Sequence, residues 1–259
     1  RCGDGMKVRV LGCYGTELLD YSATSFLVNE TVLVDAGTIA SALTMEEQLK
    51  IRSVLLSHSH LDHIKGLFFL ADNLAEPFST SVNIYSTAGI LEILKAHYFN
   101  DLLSPDFTSI PDEKNPILKL NPIVPGEVFE INGLKVKAFK ANHVVESVGY
   151  KVQDENGAIL YSGDTGATPW IWREAREQEG LKAIFVETSF PNRLRDLAEL
   201  SGHLTPSMLE DELKKIDSLD VPIFIFHMKP QHLDALTREI EQLHHPNISI
   251  LKQGDEFIF

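Results

Sequence analysis

The chain has 259 residues, 44% of them hydrophobic and 23% charged, which is enough apolar material for a buried core and too much for a disordered tail. Its 37 acidic residues outnumber 23 basic ones, and the net charge of −14 argues against coating nucleic acid or an anionic membrane through bulk electrostatics, while leaving room for one local positive site. The two cysteines, Cys2 and Cys13, exclude a disulfide scaffold and a Cys-rich zinc module, and no apolar run approaches the ~20 residues needed to cross a bilayer.

Residues 1–5 carry no apolar segment of the kind a signal peptide needs. They read as a remnant ahead of a natural start at Met6, or as what is left after removal of a leader. The expected location is the cytoplasm, or the periplasm in the second case. Short apolar runs then alternate with amphipathic segments. Strands are predicted at Val8–Leu11, Phe26–Val28, Val32–Val34 and Ser53–Leu56, with a helix over about 39–50. Ile64, Leu67, Phe68 and Ala71 have helical spacing. A strand at Val82–Tyr85 and a helix at Gly89–His97 follow. Residues 98–122, with four prolines, read as a long irregular loop near the active site. Strands resume at Val128–Ile131, Val136–Phe139, Val148–Val152 and Ile159–Ser162. A helix over about 169–180 and a strand at Ala183–Val186 come next. Thr205-Pro206 marks an N-cap with proline in the first turn of a helix to about Ile216. Ile223–Phe226 is a strand, Leu233–Leu243 a helix, and Ile248–Leu251 with Glu256–Phe259 a final strand pair. No linker divides the chain, so residues 1–259 are expected to form one domain of two packed sheets with helices on the outer faces.

The chemistry concentrates in Ser57-His58-Ser59-His60-Leu61-Asp62-His63, directly after a predicted strand. Three imidazoles and a carboxylate suit zinc, iron or manganese. Residues two apart in an extended chain point the same way, so His58 and His60 can share one ion, while Asp62 and His63 swing toward a second as the chain turns into a helix. Three further donors stand at predicted strand ends: His143, Asp164 within Ser162-Gly163-Asp164-Thr165-Gly166, and His227 within Phe226-His227-Met228-Lys229-Pro230.

This order of ligands resembles the metallo-β-lactamase superfamily. The resemblance implies a four-layer αββα sandwich of two mixed sheets with a two-metal site at one edge. On that pattern His58, His60 and His143 hold one ion, Asp62, His63 and His227 the other, and Asp164 bridges them. Asp35, in Val32-Leu33-Val34-Asp35-Ala36-Gly37, matches a supporting aspartate. Gly12-Cys13-Tyr14-Gly15, Ala71-Asp72-Asn73, Glu187-Thr188-Ser189-Phe190-Pro191-Asn192 and Ser201-Gly202-His203-Leu204-Thr205-Pro206 look like the class II cyclic-nucleotide phosphodiesterases. That resemblance implies cleavage of the 3′ ester of cyclic AMP, or cyclic GMP, by a hydroxide bridging two divalent ions, with zinc expected first and iron or manganese as alternatives. The ions outweigh Asp62, Asp164 and the hydroxide by one unit of charge, so an anionic phosphodiester is attracted locally. His203, oriented by Glu187, is the candidate proton donor to the leaving O3′. Asn73 and Phe107 are candidate substrate contacts, Phe107 because bases stack on aromatic faces. The expected partner is a small cyclic nucleotide, with no nucleic acid and no membrane, in a monomer or homodimer. The alternative is RNA 3′-end processing or another phosphodiesterase activity of the same superfamily. His97, His232, His244 and His245 stand outside the motif, and Cys13 reads as a small buried residue.

Overall fold

The computed structural model describes residues 5–75, 81–216 and 220–259. Of the remnant expected at 1–5, all but Gly5 lies outside the described residues. The strands are β1 (Lys7–Gly12), β2 (Ser25–Val28), β3 (Val32–Val34), β4 (Ser53–Leu55), β5 (Val82–Ser86), β6 (Leu118–Pro122), β7 (Val128–Ile131), β8 (Leu134–Lys140), β9 (Val148–Gln153), β10 (Ala158–Tyr161), β11 (Leu181–Glu187), β12 (Ile223–Phe226), β13 (Ile248–Ile250) and β14 (Glu256–Ile258). They form two mixed seven-stranded sheets, ordered β14-β1-β2-β3-β4-β5-β6 and β13-β12-β11-β10-β9-β8-β7. The helices are α1 (Met45–Gln48), α2 (Leu61–Ile64), α3 (Gly66–Ala75), α4 (Ala88–Ile93), α5 (Trp170–Glu177), α6 (Arg195–Ser201), α7 (Pro206–Leu213) and α8 (Leu233–Glu241).

Period-two alternation sorts the strand residues between layers. Val8, Val10, Phe26, Val28, Val32 and Val34 of the first sheet face Val136, Tyr150, Val152, Ala183 and Phe185 of the second, forming the inter-sheet core. The intervening Leu27, Leu33 and Val54 pack outward on Leu67, Leu70, Ala71 and Leu74 of α3. Ile184, Val186 and Ile225 likewise meet Trp172, Leu209 and Leu236 of α5, α7 and α8. The αββα sandwich is therefore present. Two tyrosines cross from the second sheet to the first: Tyr150 donates to the Leu56 carbonyl at 2.7 Å, and Tyr161 donates to Asp35.

Four elements differ from expectation. The helix predicted over 39–50 shrinks to α1, because Thr44 forms a capping box with Glu47 and starts the helix at Met45. The predicted loop 98–122 ends in β6, which pairs in parallel with β5; as an edge strand it tolerates Pro122. Helix α6 adds to the expected elements; Ala198 is its single buried residue, and Leu197 and Leu200 lie exposed on its surface. The final strand pair is split between sheets. β13 joins β12, whereas β14 pairs antiparallel with β1 after a turn at Gly254, whose amide reaches the Val10 carbonyl. Among the described residues no helix is long and apolar enough to cross a membrane. Cys13 is buried, and burial pushes its thiol up, which fits an inert packing residue.

Candidate metal centre

β3 and β4 run parallel in the first sheet, as do β10, β11 and β12 in the second, and β8 shares the direction of β10 because both oppose β9. Functional groups in such sheets gather at the carboxyl ends of the strands. Asp35 follows β3, His58 and His60 follow β4, His143 follows β8, Asp164 follows β10, Glu187 ends β11, and His227 follows β12. His60 is the extended N-cap of α2, so His58 and His60 alternate along stretched chain while Asp62 and His63 lie on the first helical turn. Asp35 and His227 adopt φ of +56° and +65°, a left-handed conformation rare for residues with a Cβ. Both sit where a strand must turn abruptly into the site, and such outliers gather at functional positions.

The seven expected ligands converge. His58, His60, His143 and Asp164 offer donor atoms within 4.8 Å of one another, and Asp62, His63 and His227 form a second such group. Asp164 faces both: its Oδ2 lies 3.5 Å from His58 Nε2 and 3.3 Å from Nε2 of both His63 and His227. His227 Nε2 is 3.4 Å from Asp62 Oδ2 and 3.1 Å from His63 Nε2, and His143 Nε2 is 3.2 Å from His60 Nδ1.

The far-side ring nitrogens of His58, His63 and His143 are engaged outside the cluster. His63 Nδ1 meets Asp35 Oδ2 at 2.7 Å, and His143 Nδ1 meets the Gly202 carbonyl at 2.9 Å. Both partners only accept, so both Nδ1 atoms carry hydrogen and both Nε2 lone pairs face the cluster. His58 Nδ1 meets Ser57 Oγ at 2.9 Å, and that hydroxyl also lies 2.7 Å from Asp35 Oδ2. Two buried atoms, His58 Nε2 and Asp164 Oδ1, have no hydrogen-bond partner. An unsatisfied polar atom in the interior calls for an explanation, and a cation between imidazole nitrogen and carboxylate oxygen supplies one. The donor set therefore fits a pair of divalent ions.

The electrostatics agree. Burial, then the neighbouring His63, pushes the His58 imidazole well below its usual range, and burial lowers His60 and His143. Burial also opposes charge on His63, yet Asp164 and Asp35 outweigh it and hold that ring well above the ordinary value. Asp164 stays far below the carboxylate range despite burial, held by His227, His63 and His58, and Asp62 is likewise lowered, against its burial, by the neighbouring His227 and His63.

Beside the ligands, His203 Nδ1 meets Glu187 Oε1 at 2.8 Å. Glu187 is fully buried and also accepts the Thr165 amide at 3.1 Å. Burial would push His203 down, but the Glu187 carboxylate outweighs it and raises the imidazole. The His203 ring lies 5.0 Å from that of His143 and 5.4 Å from that of His227. The His143 loop also borders a cavity of about 430 Å³ lined by Asn142, Val144, Gly166, Arg195 and Met208.

The two expected substrate contacts are placed elsewhere. Phe107 is 2% exposed and packs against Phe68 and Phe99, so the loop ring fills the outer core and has no face free for a base. Asn73 donates to Gln48 Oε1 at 2.8 Å, tying α3 to α1. Ser57, Ser189 and Tyr161 are polar partners that carried no role at sequence level. The serines lie inside the singled-out motifs, but a hydroxyl beside stronger ligands is not a signal on its own. Tyr161 reads as an ordinary strand aromatic.

Residues 30–235 match the family described as the Beta-lactamase superfamily domain. A probable 3′,5′-cyclic-nucleotide phosphodiesterase from Yersinia pestis is 27% identical over 229 residues, covering 80% of this chain and 64% of that relative. The 3′,5′-cyclic-nucleotide phosphodiesterase of Aliivibrio fischeri is 26% identical over 261 residues, covering 81% of this chain and 77% of that relative. The chain thus spans just under two thirds of the first relative. Among solved structures, unliganded yeast PDE1 matches with a TM-score of 0.86 at 21% identity, over 99% of this chain and 100% of that one, a likeness of fold. A family match over most of the sequence, and a two-sheet sandwich carrying the clustered histidines and aspartates at one edge, lead to one conclusion: the chain belongs to the beta-lactamase superfamily.

Proposed function

We propose that the protein is a two-metal hydrolase that opens 3′,5′-cyclic nucleotides at the 3′ ester, giving 5′-nucleotides. The observation that carries this reading is the buried Glu187–His203 pair, 2.8 Å apart and beside the metal-ligand rings, because a phosphodiester needs a proton at its leaving oxygen. The names of the Yersinia and Aliivibrio relatives support the substrate class. His58, His60 and His143 would hold one ion, Asp62, His63 and His227 the other, with Asp164 facing both. Zinc suits this shell first, and iron or manganese also fit. A pair of divalent ions supplies positive charge for the phosphate and lowers the pKa of water toward ~7.

The chain's own residues do the rest. Asp35, Ser57 and the Gly202 carbonyl fix the imidazoles so that Nε2 faces inward at His58, His63 and His143. His203 donates through Nδ1 to Glu187, leaving Nε2 to deliver a proton to O3′ as the P–O3′ bond breaks. Glu187 favours the protonated ring, so the proton is kept despite burial. The cavity against His143 offers room for the nucleoside. The substrate is a small molecule rather than a nucleic acid, and the working unit is a monomer or homodimer in the cytoplasm.

The test is a hydrolysis panel with metal content measured on the same sample: cyclic AMP, cyclic GMP, cyclic dinucleotides and bis-p-nitrophenyl phosphate. Turnover of cyclic mononucleotides to 5′ products is expected. Metal-loaded protein that ignores them, or that instead cleaves RNA with a steep salt dependence, would overturn the reading. Within the panel, His203→Ala should retain metal and lose about 10²–10⁴-fold in kcat.

A further inference from the structure

The far side of His227 is held, like that of His58, by a serine hydroxyl, but by one 38 residues away in the chain. Its Nδ1 lies 2.9 Å from Ser189 Oγ. The same hydroxyl lies 2.9 Å from Glu187 Oε2 and 3.2 Å from His203 Nδ1. Ser189 is fully buried, and its backbone is pinned on both sides: its amide donates to the Leu204 carbonyl at 3.0 Å, and its carbonyl accepts from the Lys229 amide at 3.2 Å. The hydroxyl therefore has little freedom to choose partners.

Counting donors and acceptors settles the arrangement. A serine hydroxyl has one hydrogen and two lone pairs. The Glu187 carboxylate only accepts, so the hydrogen goes there. The lone pairs then accept from the two imidazoles, which requires hydrogen on Nδ1 of both His227 and His203. For His203 that hydrogen is shared with Glu187 Oε1 at 2.8 Å. For His227 it leaves the Nε2 lone pair bare, pointing at Asp62 and Asp164.

We infer that Ser189 is a positioning residue: one buried hydroxyl fixes the tautomer of the ligand His227 and ties it to the Glu187–His203 pair. This rests on the two-metal reading above. It assigns His227 a polar support of the kind Asp35 gives His63, and it makes the acid pair and the second ion share one hydrogen-bonded unit.

The experiment is titration of metal-free wild-type and Ser189→Ala protein with Co²⁺, following the visible absorption of the ion in each site. Alanine is smaller and leaves the backbone bonds in place, but it leaves buried partners of the hydroxyl unpaired, so the metal-free variant should fold and unfold at a modestly lower temperature. One of two binding steps should weaken by about 10–100-fold, the other should not move, and the absorption of the weakened site should change. Unchanged affinities and spectrum would overturn the role of Ser189 while leaving the metal pair intact. Equal loss at both steps would reduce Ser189 to a packing residue and overturn the inference. A wild-type protein that takes up no pair of ions would instead sink the reading beneath it.

Discussion

The two donor groups of the centre lie side by side but are held by different means. In the first, His143 is oriented by the backbone carbonyl of Gly202, and His58 by Ser57, its neighbour in the chain. In the second, His63 leans on Asp35 and His227 on Ser189, buried side chains 28 and 38 residues away in sequence. The backbone support of His143 survives most substitutions, whereas the hydroxyl beside His58 and both supports of the second group are side chains that one substitution deletes. The second group should therefore be the more fragile under mutation.

Asp35→Asn should break the comparison most sharply. Asp35 Oδ2 accepts from Ser57 Oγ and His63 Nδ1, each at 2.7 Å, and from the Tyr161 hydroxyl, while Oδ1 accepts the Ser57 amide at 2.7 Å. An amide at this place turns an NH₂ toward groups that need an acceptor. Removing one partner of a buried, hydrogen-bonded charge pair costs roughly 3–5 kcal/mol, so denaturant unfolding should show a loss of that size. Metal titration should show the second group failing first, and the first group weakened less, through the loosened Ser57 beside His58. Wild-type stability in this variant would mean that the second group does not depend on its remote carboxylate.

Gly202→Ala probes the first group and should have a smaller effect. Gly202 ends α6 with φ +70°, and an added Cβ would lie 2.9 Å from His143 Cα and 3.0 Å from its Nδ1. A left-handed alanine costs roughly 1–2 kcal/mol, and the contact forces the His143 loop to shift. Loss of metal affinity should then be confined to the site of His58, His60 and His143. If the His227 site weakened instead, the two groups would not be separately supported.

The gathering of the seven candidate ligands was legible in the sequence because parallel strands deliver residues to one edge, and imidazoles at successive strand ends leave a pattern that one chain can reveal. Glu187, at the end of β11, and His203, just before the capped α7, stood out through the motifs that resemble the class II cyclic-nucleotide phosphodiesterases. The support was not legible. Ser189 reaches His227 across 38 residues, and Tyr161 reaches Asp35 across 126 from the opposite sheet. Such partners depend on how two sheets face each other, which local periodicity does not encode. Phe107 misled for a related reason. An aromatic in a Pro-rich stretch looks exposed, but Phe68 and Phe99 enclose it once α3 and the segment after α4 are in place. The split of β13 from β14 was hidden likewise, because short apolar runs do not name their neighbours.

The smallest expected effect comes from Asn73→Ala, which sharpens the comparison by marking where the site stops. The Asn73 amide donates to Gln48 Oε1 at 2.8 Å, and Gln48 is itself anchored through its Nε2 to the Leu43 carbonyl at 2.9 Å. The pair stitches α3 to α1 on the outer layer, so its loss removes one hydrogen bond worth about 1 kcal/mol. Thermal unfolding should fall slightly, with metal affinity and KM for cyclic AMP unchanged. A raised KM with intact stability would place the substrate against α3, and the first donor group would then owe part of its setting to a helix that its hydrogen bonds do not reach.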